Sequence, residues 1–317
     1  MRSHGYWTSY ANKRGGVKEG CAIFLSESKF VVLDSLSVPL KYLLRNDSRL
    51  EFVFKSNPHL FETVCEKLGM VCQLVVAETR SEPPNIFLIA NTHLYYHPDA
   101  DFIRFIQTYA VISVVEKMKE LIHAGDYDFR TFLSTIIEDN ETVLMEDAQE
   151  SSWRKEKGAL SYHTIKRDVI VCLCGDFNST PETAAIEYLV KGVVAFDHEI
   201  WSSIGYYIKS QQAEVETEDD GIHHTTISME ESPSLSHNLR LMNLSGCPKY
   251  TNFTAGFQDC LDYVFISRDA VNVHSVAPLP SYDDLTENIA LPSMQFPSDH
   301  VSIVVDVSLG RSEEKVA

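Results

Sequence analysis

The chain has 317 residues, 44% of them hydrophobic, so it can bury a sizeable core in one large domain or two small ones. No stretch approaches the roughly 20 apolar residues of a membrane-spanning helix, so no membrane span is predicted. Lys and Arg number 27 against 45 Asp and Glu, and the formal net charge of −18 excludes the basic footprint of a non-specific nucleic-acid binder.

Seven short segments have the pattern of β-strands that are buried on both faces. Most are continuous apolar runs with β-branched residues. In chain order they are Cys21–Leu25, Phe30–Leu33, Met70–Ala77, Ile86–Asn91, Val169–Cys174, Leu261–Ile266 and Val301–Val307. Because helical segments lie between these strands, the sequence predicts an α/β fold.

A long amphipathic helix is predicted over Asp101–His123. Apolar residues recur there at steps of three and four, the spacing that places them on one helix face. Asp99 and Asp101 precede this apolar stripe, and their side chains are the residue type that accepts hydrogen bonds from the first turn of a helix. Both are therefore candidate N-terminal caps.

A shorter helix is predicted over Pro181–Lys191. Thr180 is a residue type favoured at the N-cap, and Pro181 is favoured at the first helical position because its fixed φ suits a helix. Gly192 follows the last helical residue and can adopt the left-handed conformation that ends a helix. The sequence therefore predicts both ends of this helix.

Two acidic segments interrupt the α/β pattern, at about residues 125–166 and 210–238. They are polar, rich in Ser and Thr, and weakly periodic, which favours surface insertions with little structure of their own. The rest of the chain shows no internal repeat. We therefore expect one domain over residues 1–317.

The seven cysteines predict reduced thiols rather than disulfides. Their number is odd and they are scattered, which is typical of an intracellular protein, and the sequence does not distinguish the cytoplasm from the mitochondrion. Cys172 and Cys174 alternate along one strand, and Cys65 and Cys72 stand too far apart for a zinc knuckle. No zinc site is predicted.

The chain carries its candidate catalytic residues in four polar clusters near strand ends. These are Asn91-Thr92-His93, Gly175-Asp176-Phe177-Asn178, Leu261-Asp262-Tyr263 and Ser298-Asp299-His300. Each cluster alone has an ordinary structural explanation, such as an Asp or Asn turn or a histidine that only donates hydrogen bonds. Four of them beside hydrophobic strands favour a single site.

The cluster chemistry indicates metal-assisted phosphodiester hydrolysis. Asp176, Asn178 and Asp299 offer the oxygen ligands that Mg²⁺ or Mn²⁺ takes, and a bound cation lets an acidic site hold a polyanion. Asp262 lies in an apolar run, where an ionised carboxylate needs a partner, and we expect that partner to be His300. His93 is a candidate to line the site, whereas His97 fits an aromatic corner equally well.

The clusters and their flanking residues resemble the exonuclease–endonuclease–phosphatase superfamily, and within it the deadenylase branch. The matching segments are Asn91–Pro98, Ile103–Gln107, Cys174–Pro181, Tyr250–Phe253 and Pro297–His300. The resemblance covers nearly the whole chain and implies a four-layer α/β/β/α sandwich. It also implies hydrolysis of an adenylate chain, 2′,5′-linked oligoadenylate or a 3′ poly(A) tail, to release 5′-AMP.

The resemblance assigns a role to each candidate residue. Asp176 activates water or binds metal, Asn178 holds the scissile phosphate, and Asp299 supports the metal. His300 contacts the phosphate with Asp262 behind it, and His93 lines the site. Substrate contacts fall to Asn252, Pro98 and Phe257, the last two at positions that hold an adenine; without the resemblance, Phe257 is equally a core aromatic.

The chain departs from the superfamily in its N-terminal region. Superfamily members carry an early strand that ends in a Gln-Glu pair, whose glutamate is the main Mg²⁺ ligand, and no such pair follows an apolar strand here. We therefore expect the sequence to be part of a longer protein, incomplete at its N-terminus, with weakened metal binding. The alternative is a catalytically impaired binding module for nucleotides or a protein partner; a phospholipid or inositol phosphate phosphatase fits the deadenylase-like segments less well.

Overall fold

The computed structural model describes residues 4–14, 18–125, 168–204 and 233–310. The strands of these segments are β1 Tyr6–Asn12, β2 Gly20–Ser26, β3 Phe30–Pro39, β4 Val71–Thr79, β5 Ile86–His93, β6 Val169–Asp176, β7 Val193–Val194, β8 Leu235–Ser236, β9 Leu241–Asn243, β10 Asn252–Phe253, β11 Gln258–Asp259, β12 Asp262–Ser267, β13 Val271–Val276 and β14 Val305–Leu309. The α-helices are α1 Leu40–Arg45, α2 Glu51–Ser56, α3 Pro58–Phe61, α4 Asp101–His123, α5 Ala184–Lys191 and α6 Tyr282–Thr286. A π-helix spans Glu62–Lys67, and a 3₁₀-helix spans Glu199–Ser203.

A six-stranded mixed sheet forms the centre of the fold, in the order β3-β4-β5-β6-β12-β9. β5 and β6 are parallel, whereas the other neighbours in this sheet are antiparallel. A parallel pair needs a long crossover, and helix α4 lies in the connection between β5 and β6. The parallel pair matters for the site because the carboxyl ends of both strands lie at the same edge of the sheet.

One face of this sheet is covered by helices α4 and α5. Leu88 and Ala90 of β5 and Val171 and Leu173 of β6 point to this side and are fully buried in the main hydrophobic core. These residues alternate with half-exposed ones, because successive strand residues point to opposite faces. The helix face is therefore the apolar scaffold of the fold.

The opposite face is covered by two β-hairpins. The β1–β2 hairpin lies against β4 and β5, where Gln73 Nε2 donates to Ser9 Oγ (2.9 Å) and Asn91 Nδ2 donates to the Ala22 carbonyl (3.2 Å). The β13–β14 hairpin packs on β6 and β12 in a smaller cluster of buried residues around Ile266. Helices, central sheet and hairpins form successive layers, which confirms the predicted α/β sandwich.

Helix α4 confirms the predicted span, but it is buried on all sides over residues 102–112 and not on one face as predicted, and its predicted caps are wrong. The N-cap is Ala100, and no side chain caps the first turn. Asp101 is instead the first helical residue and pairs with Arg104, while the Asp99 backbone N–H donates to His97 Nδ1 (3.2 Å). The turn before the helix is thus held by other polar contacts.

Helix α5 ends at Gly192 as predicted but begins three residues later than predicted. Gly192 adopts the left-handed conformation, with φ of 79°, and its N–H donates to the Tyr188 carbonyl. The N-cap is Thr183, not Thr180, because the Thr183 N–H bonds the Thr180 carbonyl in a turn before the helix. The Thr180 hydroxyl donates to Glu182 instead of capping the helix.

The last predicted strand is shorter than its apolar run. β14 begins at Val305, and residues 301–304 have no regular structure. The Val301 N–H donates to the Thr251 carbonyl (2.8 Å), so this part of the chain pairs locally with the segment before β10. The predicted strands that begin near residues 21, 30, 70, 86, 169 and 261 are present.

Most of the two predicted insertions lies outside the described residues, which resume at 168 and 233. The end of the second includes the short strand β8, Leu235–Ser236, which pairs with β7. In the described segments, the helices are all too short or too polar to cross a lipid bilayer.

Candidate active site

The sheet topology places three of the four polar clusters in one row. β5 and β6 end together, and their register sets His93 beside Asp176. β12 runs antiparallel to β6 and begins where β6 ends, so Asp262 lies on the other side of Asp176. Neighbouring strands are about 4.8 Å apart, which brings three side chains on one face within reach of each other.

The fourth cluster joins this row through His300. A single β-bridge pairs His300 with Asn252, and the His300 ring reaches Asp262. His300 Nδ1 donates to Asp262 Oδ2 at 2.7 Å, and His300 Nε2 lies 3.7 Å from Asp176 Oδ2. The structure therefore contains the Asp262–His300 pair that the sequence predicts.

His300 carries a positive charge at the centre of the site, and Asp262 stabilises it. The hydrogen bond that His300 donates to Asp262 raises the pKa of His300 to about 9 and outweighs the partial burial of the ring, which acts in the opposite direction. His300 is therefore an imidazolium at neutral pH. Because Asp262 accepts the Nδ1 proton, the ring is held in one orientation, with Nε2–H on the side of Asp176.

The ionised form of Asp176 is destabilised by its surroundings. Its side chain is 16% exposed, and burial followed by the nearby Asp262 charge raises its pKa to about 6. The Asn178 backbone N–H donates to Asp176 Oδ1 at 2.8 Å and fixes one oxygen. A group of this kind is stabilised by an added positive charge close to it.

Asp176, Asp262 and His300 form a group that fits a metal ion. One potential ligand atom from each lies within 4.8 Å of the others. A bound cation would stabilise the ionised Asp176 carboxylate, whose oxygens suit a hard ion such as Mg²⁺ or Mn²⁺. His300 Nδ1 and Asp262 Oδ2 are already bonded to each other, so Asp176 is the better ligand in this group.

His93 lies on the far side of Asp176 and is neutral. Its Nε2 is 3.5 Å from Asp176 Oδ2. Burial, followed by repulsion from the Lys13 ammonium, lowers the pKa of His93 to about 4. The two histidines beside Asp176 therefore have opposite protonation at neutral pH, His300 charged and His93 uncharged.

Lys13 is a component of the site that the sequence analysis missed. It is 8% exposed, directly follows β1, and its Nζ lies 2.8 Å from Glu19 Oε2, the residue that directly precedes β2. Its charge acts on both His93 and Asp176. The aromatic residues of β1 suit a strand, but its sequence does not show that the hairpin folds back so that Lys13 reaches the site.

Asn178 occupies a strained turn next to Asp176. Its φ is 48°, in the left-handed region that asparagine tolerates better than most residues. Its side-chain amide donates to the Leu94 carbonyl at 3.0 Å, which ties the turn after β6 to the residue after β5. The side chain is thus held at the edge of the sheet where Asp176 lies.

Asp299 and Asn252 lie together, next to the cluster rather than in it. Asn252 Nδ2 donates to Asp299 Oδ2 at 3.3 Å, and the Asp299 carbonyl accepts from the Phe253 N–H at 2.9 Å. The group of possible metal ligands around Asp176 does not include Asp299. The structure therefore pairs Asp299 with the Asn252 amide, and its charge contributes to the raised pKa of His300.

The two predicted adenine contacts are both at the surface. Phe257 is 45% exposed at the turn of the β10–β11 hairpin, which excludes the alternative of a core aromatic. Pro98 is exposed too, and buried Arg104 donates to its carbonyl at 3.1 Å. His97 stacks on Tyr95 with a ring separation of 6.3 Å, which agrees with the aromatic-corner interpretation.

A comparison with known protein families matches this geometry. The Endonuclease/Exonuclease/phosphatase family model matches residues 3–300, which include all four clusters. The chain belongs to that family. The family assignment confirms the resemblance recognised in the sequence motifs.

Curated relatives agree with the deadenylase branch of this family. The chain is 30% identical over 292 residues to 2′,5′-phosphodiesterase 12 of Rattus norvegicus, a match that covers 91% of this chain and 37% of the rat protein. It is 25% identical over 317 residues to the CCR4-Not complex 3′-5′-exoribonuclease subunit Ccr4 of Phaeosphaeria nodorum, covering 97% of this chain and 47% of that protein. The chain thus spans less than half the length of these relatives.

Solved structures confirm the fold. ANGEL2, described as a 2′,3′-cyclic phosphatase and solved in complex with adenosine-2′,3′-vanadate, superposes with a TM-score of 0.61 at 17% identity, over 96% of this chain and 75% of ANGEL2. The human Nocturnin catalytic domain with a bound sulfate anion gives a TM-score of 0.51 at 17% identity, over 97% of this chain and 74% of that domain. At this identity the likeness establishes the shared architecture.

Proposed function

We propose that this chain carries the catalytic site of a metal-dependent phosphodiesterase that hydrolyses adenylate chains and releases 5′-AMP. The observation that carries the proposal is the Asp176–Asp262–His300 group, with its hydrogen-bonded Asp–His pair at the joined strand ends. The names of the two curated relatives, a 2′,5′-phosphodiesterase and a 3′-5′-exoribonuclease, support the reaction class. The substrate is accordingly 2′,5′-oligoadenylate or the 3′ end of a poly(A) tail.

The proposed metal is Mg²⁺, with Mn²⁺ as a substitute. Asp176 would hold it. Asn178 and Asp299 are proposed as further oxygen donors, although Asp299 lies outside the Asp176–Asp262–His300 group and accepts a hydrogen bond from Asn252. The raised pKa of Asp176 supports this assignment, because the carboxylate lacks a compensating charge that a cation supplies. A bound divalent cation would polarise the phosphoryl oxygens and lower the pKa of a bound water.

The residues of the chain account for the other requirements of hydrolysis. His300, held as an imidazolium by Asp262, donates Nε2–H toward the negative charge that develops on the phosphoryl oxygens. Asp176 has a second candidate role, as the acceptor of a proton from the attacking water in place of binding the metal, and its raised pKa in the metal-free site favours that role. Bond formation from that water to phosphorus breaks the bond from phosphorus to the ribose oxygen, which leaves as an alkoxide and takes a proton from solvent water.

Lys13 and His93 complete the electrostatics of the site. The buried Lys13 ammonium adds a second positive charge close to Asp176, which favours a phosphate in this pocket. His93 stays uncharged and therefore lines the site without repelling a cation. Because Lys13 is paired with Glu19 and His300 with Asp262, the proposed cation supplies the further positive charge that lets this site hold a phosphodiester on a chain whose net charge is −18.

Adenine recognition is assigned to Pro98 and Phe257. Both are exposed, and each is held on a turn whose backbone is fixed by hydrogen bonds. An exposed ring can stack on any base, and such stacking contributes on the order of 1–3 kcal/mol per base. The contacts stabilise a base without reading the linkage of the ribose, so 2′,5′ and 3′,5′ chains both remain candidate substrates.

The test is release of AMP from 2′,5′-triadenylate and from a 3′,5′ oligoadenylate, with Mg²⁺ and with EDTA. We expect release that EDTA abolishes and that Asp176→Ala and His300→Ala each reduce strongly. His274→Ala is the matched control, because His274 is exposed on β13 and bonds only Ser308 among described side chains. Release by the His300→Ala variant at the control's rate would contradict the proposal.

AMP release together with a binding measurement tests the alternative of a binding module. Fluorescence anisotropy with a labelled oligoadenylate measures binding without turnover. A folded chain that binds adenylate but releases no AMP under any metal condition would establish the binding module and exclude catalysis by this chain. The faster of the two substrates would identify the preferred linkage.

A further inference from the structure

A buried arginine in the first turn of helix α4 has no part in the chemistry proposed above. Arg104 is only 3% exposed, and burying a guanidinium is costly unless its charge and its donors are paired. Its Nε has no hydrogen-bond partner among the described residues, which adds to that cost. Packing alone therefore does not explain an arginine at this position, because an apolar side chain would fill the space at lower cost.

The two terminal nitrogens of Arg104 hold the loop that joins β5 to α4. Nη1 donates to the Tyr95 carbonyl at 3.3 Å and also to the His97 carbonyl. Nη2 donates to the Pro98 carbonyl at 3.1 Å and to the carboxylate of Asp101. Because a guanidinium is planar and rigid, these contacts fix the carbonyls of the loop relative to one another.

The other end of this loop is tied to the catalytic edge of the sheet. The Leu94 N–H donates to the Asp176 carbonyl at 3.0 Å, and the Leu94 carbonyl accepts from Asn178 Nδ2 at 3.0 Å. The loop thus runs from the backbone of the catalytic carboxylate to the carbonyls that Arg104 holds. Its two attachments set the distance between Asp176 and the Pro98 ring.

A second side chain of α4 supports the middle of the loop. Gln107 is 1% exposed and lies about one turn after Arg104, and its Oε1 accepts from the Tyr95 N–H at 3.1 Å. Helix α4 therefore holds this loop through an acceptor and a set of donors. The remaining free part of the loop is the turn that presents Pro98.

Pro98 lies beside a cavity of about 390 Å³. The cavity is also lined by Asp99, Asp101 and Ser203, the last at the end of the 3₁₀-helix. A volume of this order is typical of sites for small organic ligands. The residue that Arg104 holds therefore borders a space that a base can enter, and Asp101 of the same cavity wall is also bonded by Arg104.

We infer that Arg104 is a positioning residue for the substrate base, because it holds the Pro98 ring at a fixed place relative to the catalytic edge. The inference rests on the proposed function, which assigns an adenine contact to Pro98. Without the donors of Arg104 the loop is free to move, and ordering it then opposes binding. The loss concerns the base alone, since the contacts of Leu94 at the catalytic edge do not involve Arg104.

The test compares wild type and Arg104→Met on two ligands, an oligoadenylate and the same chain with a base-free ribose spacer at its 3′ end. Fluorescence anisotropy measures the affinity for each. We expect Arg104→Met to weaken oligoadenylate binding roughly fivefold or more and to leave binding of the base-free chain unchanged. An arginine that only stabilises the fold would affect both ligands equally.

Arg80→Met is the matched control. Arg80 also holds a loop through a backbone carbonyl, since its Nε donates to the Glu27 carbonyl at 2.7 Å. It follows the end of β4 that pairs with the start of β5, at the opposite edge of the sheet from the site. This variant should bind both ligands as wild type does.

Two further variants decide whether Arg104 acts through Pro98. In a Pro98→Ala background, Arg104→Met should cause no additional loss of oligoadenylate affinity, because the contact it positions is already removed. Arg104→Lys keeps the charge and some of the donors, so it should lose less affinity than Arg104→Met; it carries the ligand comparison if Arg104→Met does not fold. Equal losses on both ligands, no loss in either Arg104 variant, or losses that multiply with Pro98→Ala would overturn the inference.

The binding measurement also separates this inference from the proposed function. Anisotropy needs no turnover, so a wild type that binds oligoadenylate but releases no AMP would contradict the proposed catalysis, and the two ligands would still decide the role of Arg104. A wild type that binds the oligoadenylate no better than the base-free chain would overturn the inference, whatever its rate of AMP release.

Discussion

The two faces of the central sheet perform different tasks with the same strands. On β5 and β6 the helix face presents Leu88, Ala90, Val171 and Leu173, all fully buried. The hairpin face of the same strands presents apolar residues of a smaller cluster, such as Phe87 and Ile170, and then half-exposed polar residues and thiols up to Asp176. Successive side chains of a strand point to opposite faces. A substitution on the helix face should therefore lower stability, and one near the catalytic end of the hairpin face should lower activity.

The largest effect is expected at the end of β6 on the hairpin face. Asp176→Asn should lower the rate of AMP release on the order of 10²–10⁴-fold, because it removes the carboxylate that either binds the metal or accepts the proton of the attacking water. The free energy of unfolding should stay equal or rise, because the variant loses a buried charge that Asp262 repels. The exposed Asp269, which pairs with Arg240, gives the control Asp269→Asn, for which no change in rate is expected.

The next effect is expected on the helix face of the same strand. Leu173→Ala should lower the free energy of unfolding by about 2–5 kcal/mol, because it leaves a cavity in the main core. AMP release per folded molecule should change little, and urea unfolding with a parallel rate assay measures both. Val304→Ala, at a 58% exposed position, should change stability by less than about 0.5 kcal/mol. An equal loss of unfolding free energy in Leu173→Ala and Val304→Ala would contradict the assignment of the stabilising core to the helix face.

The Asp262–His300 pair predicts a pH dependence of stability. The pKa of folded His300 is about 9 against an ordinary 6.5, so the pair stabilises fully below pH 6.5 and loses its contribution as the pH rises to 9. In EDTA, wild type should therefore lose on the order of 2–3 kcal/mol more than His300→Gln between pH 6.5 and 9. Chemical unfolding at the two pH values measures this difference. Equal losses would show that the pair is not charged as described.

The smallest effect is expected at the surface of the β10–β11 hairpin. Phe257→Ala should weaken adenylate binding by about 1–3 kcal/mol, which raises KM between roughly fivefold and 150-fold. Stability should be nearly unchanged, since the ring is 45% exposed. Phe257→Tyr keeps a stacking surface and should retain affinity. A loss of the same size in both variants would exclude stacking as the role of this residue.

Much of the candidate site could be predicted from the sequence because its residues lie at the ends of apolar runs. The end of a strand is visible as the end of an apolar run, and parallel and antiparallel neighbours then bring His93, Asp176 and Asp262 into one row. The Asp262–His300 pair followed from the cost of an unpaired carboxylate in an apolar run. That expectation is confirmed by the 2.7 Å contact.

The remaining features depend on contacts between distant parts of the chain. Lys13 reaches the site only because the β1–β2 hairpin folds onto β4 and β5, and β1 has no apolar run. The run after His300 is apolar, yet its backbone bonds the segment before β10 instead of starting a strand at Val301. Thr180 is a good capping residue, but a turn places Thr183 at the start of the helix. Residue type alone does not decide between such local alternatives.

The central claim is that Asp262 acts through His300 at the hairpin face, and a double-mutant cycle on the rate of AMP release tests it most directly. The cycle compares wild type, Asp262→Asn, His300→Gln and the double variant in single-turnover reactions with Mg²⁺. The account predicts that the double variant is about as slow as His300→Gln alone, because removing His300 leaves Asp262 without a partner to orient. Losses that multiply in the double variant would contradict the account, because they would show two groups that act independently.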